Sequence, residues 1–192
     1  MTRIAPSATF AEIPVVDLGQ GDRINLGVVA IVGRLGKVAE GLGALNAALR
    51  STETLPPRLL ELVRLRIAFH NQCRSCMAIR YAPATEAGVD EALVCSLERP
   101  QEADDLTDGE RAALAYADLF ANNHLAIDEA TYDGLREHFT EPEIVGIGMV
   151  CGLCVGFGRL ESSWDMVDEL PERFSRRGVT ITPWGEGDLV RA

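Results

Sequence analysis

The sequence predicts an all-α fold, a compact bundle of about seven helices, and three observations lead there. Apolar residues recur three and four apart through most of the chain. Helix-start signals stand at Thr54-Leu55-Pro56-Pro57, Thr107-Asp108-Gly109-Glu110 and Thr140-Glu141-Pro142-Glu143. No segment shows a sustained alternation of apolar and polar residues, the pattern of a half-buried strand.

Each element follows in order. Residues 1–20 carry Pro6 and Pro14 without helical periodicity, and read as an extended arm. Residues 25–50 are rich in Ala, Leu, Val and Gly, so they are helical. Gly27, Gly33, Gly36, Gly41 and Gly43 predict breaks or close packing within them. Proline fits the first turn of a helix, so Pro56-Pro57 opens one over 58–69. His70-Asn71-Gln72 breaks the pattern. A new helix starts at Cys73 and runs towards Glu86, with Pro83 kinking or ending it and Gly88 as its cap. A short helix covers 90–97, and 98–105 is a polar loop. The two capping boxes open helices to about 122 and about 167, with another over 128–139 between them. The tail from Pro171 is extended. One helical domain, 21–170, thus lies between an arm, 1–20, and a tail, 171–192.

Composition excludes several classes. The 192 residues hold 18 Lys and Arg against 29 Asp and Glu, a net charge of -11. Such a chain repels phosphate backbones, and it offers no basic patch to an anionic membrane, so neither nucleic acid nor membrane is an expected partner. The first twenty residues have no apolar run of signal-peptide length. The longest uncharged run, 144–158, falls short of the roughly 18 to 20 residues that cross a bilayer, and reads as a buried helix. Five cysteines are an odd count in a chain too long for a disulfide scaffold, which points to a reduced, cytoplasmic protein.

Four of the five form two C-x-x-C pairs, Cys73/Cys76 and Cys151/Cys154. A cysteine at a helix start meets unsatisfied N–H groups and the positive end of the helix dipole. These can lower a thiol pKa from about 8.5 to roughly 3.5–7.5. The two-residue spacer brings both sulfurs to one side of the helix, close enough for a disulfide. One thiolate can then attack an oxidant and the other resolve the sulfenic acid. The alternative is two small hydrophobes in a core helix.

The pattern Leu55-Pro56-x-x-Leu59-x-Glu61-Leu62-Val63, Asn71-x-Cys73-x-x-Cys76 and Gly88 resembles the alkylhydroperoxidase-D-like, or carboxymuconolactone decarboxylase, superfamily. The likeness continues through Arg111-Ala112-Ala113-Leu114-x-Tyr116-Ala117 and His138-Phe139-Thr140-x-x-Glu143-Ile144-Val145, in particular to the peroxidase-related members. It implies a helical fold, homo-oligomeric assembly, and a dithiol with a Glu one helix earlier and histidines as a proton relay. Carried over, the Glu is Glu61, Cys73 is the proton donor and Cys76 forms the sulfenic acid. Two positions depart from the family, where Ser75 and Arg80 stand in place of histidines.

Arg80 is always protonated and shuttles no proton. One helical turn after Cys76, it would stabilise a thiolate or pair with Glu61. Glu61 has the alternative of an i,i+3 pair with Arg64, and Arg80 that of an ordinary surface arginine. Ser75 can donate a hydrogen bond but is no base at neutral pH. His70, three residues before Cys73 in the inter-helix break, could reach the thiol site, with an exposed loop histidine as the alternative. Cys151 and Cys154, with Gly148, Gly152 and Gly156 spaced by four, read as inert thiols of a close-packed helix. Cys95 has no partner and reads as unreactive. A zinc site on all four paired cysteines would have to bridge residues 77–150 and open a helix core, so no metal is expected. No motif for a flavin or nicotinamide cofactor is present.

The expected function is a thiol-dependent, alkylhydroperoxidase-like oxidoreductase. It would reduce a peroxide or disulfide with Cys76 and Cys73, aided by Glu61, Ser75, Arg80 and His70, and a dithiol partner would re-reduce it. The alternatives are a decarboxylase or lactone-type enzyme acting on a small carboxylated substrate, and a member that kept the fold and weakened or lost its chemistry.

Overall fold

The computed structural model describes residues 2–7, 17–51, 55–185 and 189–191. Among them are ten α-helices and a two-residue parallel pairing of strands, so the chain is all-α with more and shorter helices than expected. Part of the expected arm, 8–16, lies outside the described residues. Of the rest, the Arg3 amide donates to the Trp164 carbonyl and the Ser7 amide to the Ala30 carbonyl.

The glycine-rich first segment is two helices, α1 (Gln20–Val32) and α2 (Lys37–Leu49), joined by a 3₁₀ turn at Gly33–Leu35. Gly36 makes the break with φ +51°, a conformation L side chains rarely adopt. α3 (Pro57–Asn71) starts at its proline and runs two residues further than the sequence suggests, until Gln72 adopts a left-handed φ of 50°. The Gln72 side chain then grips the distant tail, accepting from the Ile181 amide and donating to the Ile181 carbonyl.

The expected helix from Cys73 to Glu86 is three elements: α4 (Arg74–Ala78), β1 (Ile79–Arg80) and α5 (Ala82–Glu86). Ile79 and Arg80 leave the helix to pair in parallel with Val190 and Arg191 of β2 (Val190–Arg191). Pro83 then sits in the first turn of α5, where a missing N–H costs nothing, so it begins a helix instead of ending one.

Downstream lie α6 (Glu91–Ser96), α7 (Asp108–Asn122), α8 (Glu129–Arg136), α9 (Glu141–Trp164) and α10 (Glu172–Ser175). Both predicted capping boxes close as expected, Thr107 with Glu110 and Thr140 with Glu143. The tail is less extended than predicted, since it forms α10 and β2 and inserts Phe174 and Trp184 into the core.

α3 is the central element and is buried around most of its circumference. One side, with Leu59, Val63 and Ile67, packs against Ala113 and Tyr116 of α7 and Ile147 and Cys151 of α9. Another, with Leu62 and Leu65, meets Val94, Leu97, Leu114 and Trp184. Its end, at Ala68, joins Met77, Ile79, Phe174 and Ile181. α9 was expected to be a buried helix, yet it buries one face only and leaves Val145, Met149 and Leu160 exposed. By length and composition it is apolar enough to cross a membrane, with a mean hydropathy of 1.6 in its most apolar window.

Candidate functional site

The left-handed Gln72 ends α3 and turns the chain back, so Cys73 becomes the N-cap of α4 with its amide donating to the Ala68 carbonyl. Cys76 lies one turn on, and the two sulfurs are joined as a disulfide. Cys73 is fully buried, while Cys76 faces a cavity of about 540 Å³ between α1, α3, α4 and α9. α4 has only five residues, so its dipole gives the sulfurs far less than the long helix expected from the sequence.

The group nearest both sulfurs is Glu161, from the last turns of α9. Its Oε2 lies 3.6 Å from Cys73 Sγ and 3.5 Å from Cys76 Sγ, and accepts from Ser75 Oγ at 3.2 Å. Ser75 Oγ is itself 3.5 Å from Cys73 Sγ. Burial pushes the Glu161 carboxyl up to about 7, against the opposing pull of the Ser75 hydroxyl and Arg64. A group with that pKa gives and takes protons near neutrality.

Of the residues singled out from sequence, Ser75 joins the cysteines and Glu161. Glu61 lines the same cavity but is engaged in the i,i+3 pair with Arg64, at 2.6 and 2.7 Å, and the pair is buried. Arg64 also donates to the Cys76 carbonyl at 2.6 Å and the Ile79 carbonyl at 2.9 Å, and so braces the chain around the disulfide.

Arg80 corrects two expectations. It lies in β1 and not on the cysteine helix, and its partner is Glu91 at 2.9 Å instead of Glu61. Its other N–H groups hold the carbonyls of Met77, Ile79 and Pro183, so it is a buried clamp between β1, α6 and the tail. The cause is the early end of α4, which removes the helical spacing on which the expected position rested. His70 is a further correction. Nε2 meets Asp118 Oδ1 at 2.6 Å, and Nδ1 accepts from Asn122 Nδ2 at 3.2 Å. Both ring nitrogens are therefore committed on the α7 side, and neither serves the thiols.

The second cysteine pair divides. Cys151 is a core thiol, its pKa pushed well above the ordinary value by burial and by Cys154. Cys154 lines the cavity, and burial pushes it up to about 11 despite the nearby Arg64 and Arg50. Cys95 is exposed.

Arg50, at the end of α2, adds a feature that sequence reasoning missed. Its guanidinium stacks 3.8 Å from the Tyr81 ring centroid, and Nε donates to Asn46 Oδ1. Its terminal amino groups meet no acceptor among the described residues, and Arg50 lines the cavity. Glu161 was also missed. One signal was available: Cys154 and Glu161 are seven apart in a helix, and so share the face that forms the cavity wall.

Comparison with known proteins agrees with this architecture. Residues 36–119 match the carboxymuconolactone decarboxylase family. Two uncharacterized proteins of Mycobacterium tuberculosis are 37% identical over 100 residues, which is 51% of this chain and 34% of theirs. The chain thus spans about a third of the length of these relatives. Among solved structures, a peroxidase-related protein of a Silicibacter species superposes with TM-score 0.66 at 18% identity, covering 91% of this chain and 97% of that one. An alkylhydroperoxidase core protein of Ralstonia eutropha gives 0.65 at 19% identity, covering 91% and 94%. The debrominase Bmp8, in a cysteine-to-alanine form bound to 2,3,4-tribromopyrrole, gives 0.64 at 20% identity, covering 86% and 90%.

Proposed function

We propose that this chain, whose residues 36–119 match the carboxymuconolactone decarboxylase family, is a dithiol peroxidase in which Glu161 handles the protons. The observation that carries this reading is the Glu161 carboxyl against both sulfurs of the Cys73–Cys76 pair, at the wall of a cavity. A decarboxylase-type reaction has no need of a dithiol.

In the reduced protein, the Glu161 carboxylate takes the Cys76 proton. The thiolate attacks the distal oxygen of a hydroperoxide, the O–O bond breaks, and Glu161 returns the proton to the leaving alkoxide. Cys76 is now a sulfenic acid. Glu161 next takes the Cys73 proton, Cys73 attacks the Cys76 sulfur, and the expelled hydroxide collects that proton as water. One hydroperoxide and two thiols give one alcohol, one water and the disulfide. A dithiol reductant restores the thiols by exchange. Glu161 does here what the absent histidines would do, with Ser75 orienting it. The walls of Ile24, Val28, Leu60 and Phe157 suit an apolar organic hydroperoxide, and Arg50 accommodates an anionic group on it.

The test is hydroperoxide consumption with cumene hydroperoxide and dithiothreitol, paired with a thiol count on the reduced protein. Each equivalent of hydroperoxide should remove two thiols and close the disulfide. Cys76→Ser should abolish turnover, and Glu161→Gln should lower kcat by about 10²-fold or more. A reduced protein that keeps its thiols in excess hydroperoxide refutes the reading.

A further inference from the structure

The donors around the disulfide have the geometry of a metal site. We propose that, once the disulfide is reduced, Cys73, Cys76 and Glu161 bind one thiophilic divalent cation of the zinc class, which blocks the dithiol reversibly. This goes beyond the peroxidase reading and needs only that the disulfide can be reduced.

The three side chains each offer one ligand atom, and these atoms lie within 4.8 Å of one another. Tetrahedral zinc has Zn–S of about 2.3 Å and Zn–O of about 2.0–2.2 Å, which sets its S···O separations near about 3.5 Å and its S···S separation near about 3.8 Å. The carboxylate oxygen already stands 3.6 and 3.5 Å from the two sulfurs. The carboxylate oxygen therefore already stands at the S···O spacing of such a site. The one motion required is the parting of the sulfurs, which reduction itself provides. The two-residue spacer is the common spacing for zinc-binding cysteine pairs. Ser75 Oγ donates to the ligating oxygen at 3.2 Å and orients it, as outer partners of metal ligands do.

Charge and access agree with this. Two thiolates and a carboxylate leave the bound ion with a net charge of minus one, which faces the guanidinium of Arg64. Cys76, Ser75 and Glu161 line the cavity, so the fourth coordination position opens towards solvent or a small ligand. The four-cysteine site weighed from the sequence is not the cluster found here, since Cys151 is buried in the core away from these donors. Binding involves no electron transfer: the dithiol takes up the cation and releases two protons, and Glu161 releases a third wherever its carboxyl is protonated. Oxidation to the disulfide consumes both sulfur ligands and expels the ion, so metal and hydroperoxide compete for the same reduced pair.

Cobalt titration of the full chain tests this. The protein is reduced with a phosphine, desalted without oxygen and titrated with Co²⁺. One equivalent should produce a thiolate-to-cobalt charge-transfer band in the near-ultraviolet and intense tetrahedral bands in the visible. Zn²⁺ should remove both one for one. Glu161→Gln should weaken binding by about tenfold or more while keeping the charge-transfer band. Cys73→Ser should lose the tetrahedral spectrum, and Cys95→Ser should keep it. The oxidised wild-type chain, whose fold is intact, should show no spectrum and serves as a comparator should Cys73→Ser misfold. The proposal is overturned if reduced protein binds no cobalt at micromolar concentration, if Glu161→Gln binds equally well, or if the spectrum persists in oxidised protein. Cobalt binding without hydroperoxide turnover would retire the peroxidase reading and leave this one standing.

Discussion

A carboxyl buried away from water holds its proton to a higher pH than an exposed one, and Glu161 does so to about 7. Its folded pKa lies above its unfolded value of about 4.3, so protonation favours the native state. That contribution is complete below the unfolded value and fades as pH rises through the folded one. Glu161→Gln mimics the protonated carboxyl. Its stability should therefore vary less between pH 4.5 and 7.5 than the wild type's (about 4.3 being the unfolded value and about 7 the folded one). At pH values above that window it should exceed the wild type by on the order of 1–3 kcal/mol. Thermal melts of the oxidised protein across pH measure this, and equal slopes in the two proteins would contradict it. The thiols form a second residue-scale prediction. Cys95 is exposed, so mild alkylation of the oxidised chain should label it first, contrary to its reading from sequence. Cys151 should stay unlabelled until the chain unfolds, and Cys154 should label slowly at neutral pH. Reduction should add Cys76. Early labelling of Cys151 would mean that the core helix is misassigned. Cys73, Cys76 and Ser75 were legible because their chemistry is written within four residues. Glu161 was not, because it meets Cys76 across 85 residues of chain, and periodicity reveals a helix face without revealing which helix it meets.

Elements with strong local signals were legible, and those made by distant pairing were not. Thr107, Thr140 and Pro57 announce their helices because a cap or a first-turn proline acts within one turn. The end of α4 has no such signal. It depends on β1 meeting β2 more than a hundred residues later, and that displacement carried Arg80 away from the site. The joint between α3 and α9 is equally non-local and gives the element-scale prediction. A Cβ on Gly158 would stand 2.5 Å from Asn71 Nδ2. Asn71 cannot simply swing aside, since Nδ2 donates to the Cys154 carbonyl at 2.8 Å and Oδ1 accepts from Arg159. Gly158→Ala should therefore cost about 1–3 kcal/mol through overpacking and a lost buried hydrogen bond. In a chain of this size that lowers Tm by roughly 2–4 °C per kcal/mol. Gly156→Ala on the same helix meets nothing within 4 Å and is the control, expected to be neutral or slightly stabilising. Equal melting of the two variants would show that the joint yields to a methyl group.

At the scale of the molecule, exposed apolar side chains gather on two surfaces. α9 shows Val145, Met149 and Leu160 along one line with Gly152 and Gly156 between them, a flat stripe that another helix can approach closely. Val29 of α1, Leu35 of the turn, and Val38 and Leu45 of α2 are exposed, while Ile24, Val28 and Val29 of α1 also line the cavity. Contiguous apolar surface of this kind favours self-association. The net charge of -11 on each chain opposes it. The two effects respond oppositely to salt. Charge repulsion is screened over about 8 Å at 0.15 M ionic strength, whereas apolar burial does not weaken. The expected outcome is a homo-oligomer at micromolar concentration whose mass, by light scattering, is a multiple of 20.8 kDa and which tightens as salt is raised. Val145 and Met149 are 64% and 46% exposed, so charges placed there should leave the chain folded. Val145→Glu with Met149→Glu should return the protein to monomer with unchanged helicity if the α9 stripe is the contact. If that pair stays oligomeric while Val38→Glu with Leu45→Glu dissociates, the contact lies on α2, beside the cavity, and assembly would alter access to Cys76. A wild-type mass of one chain at every salt concentration would show that neither surface pairs.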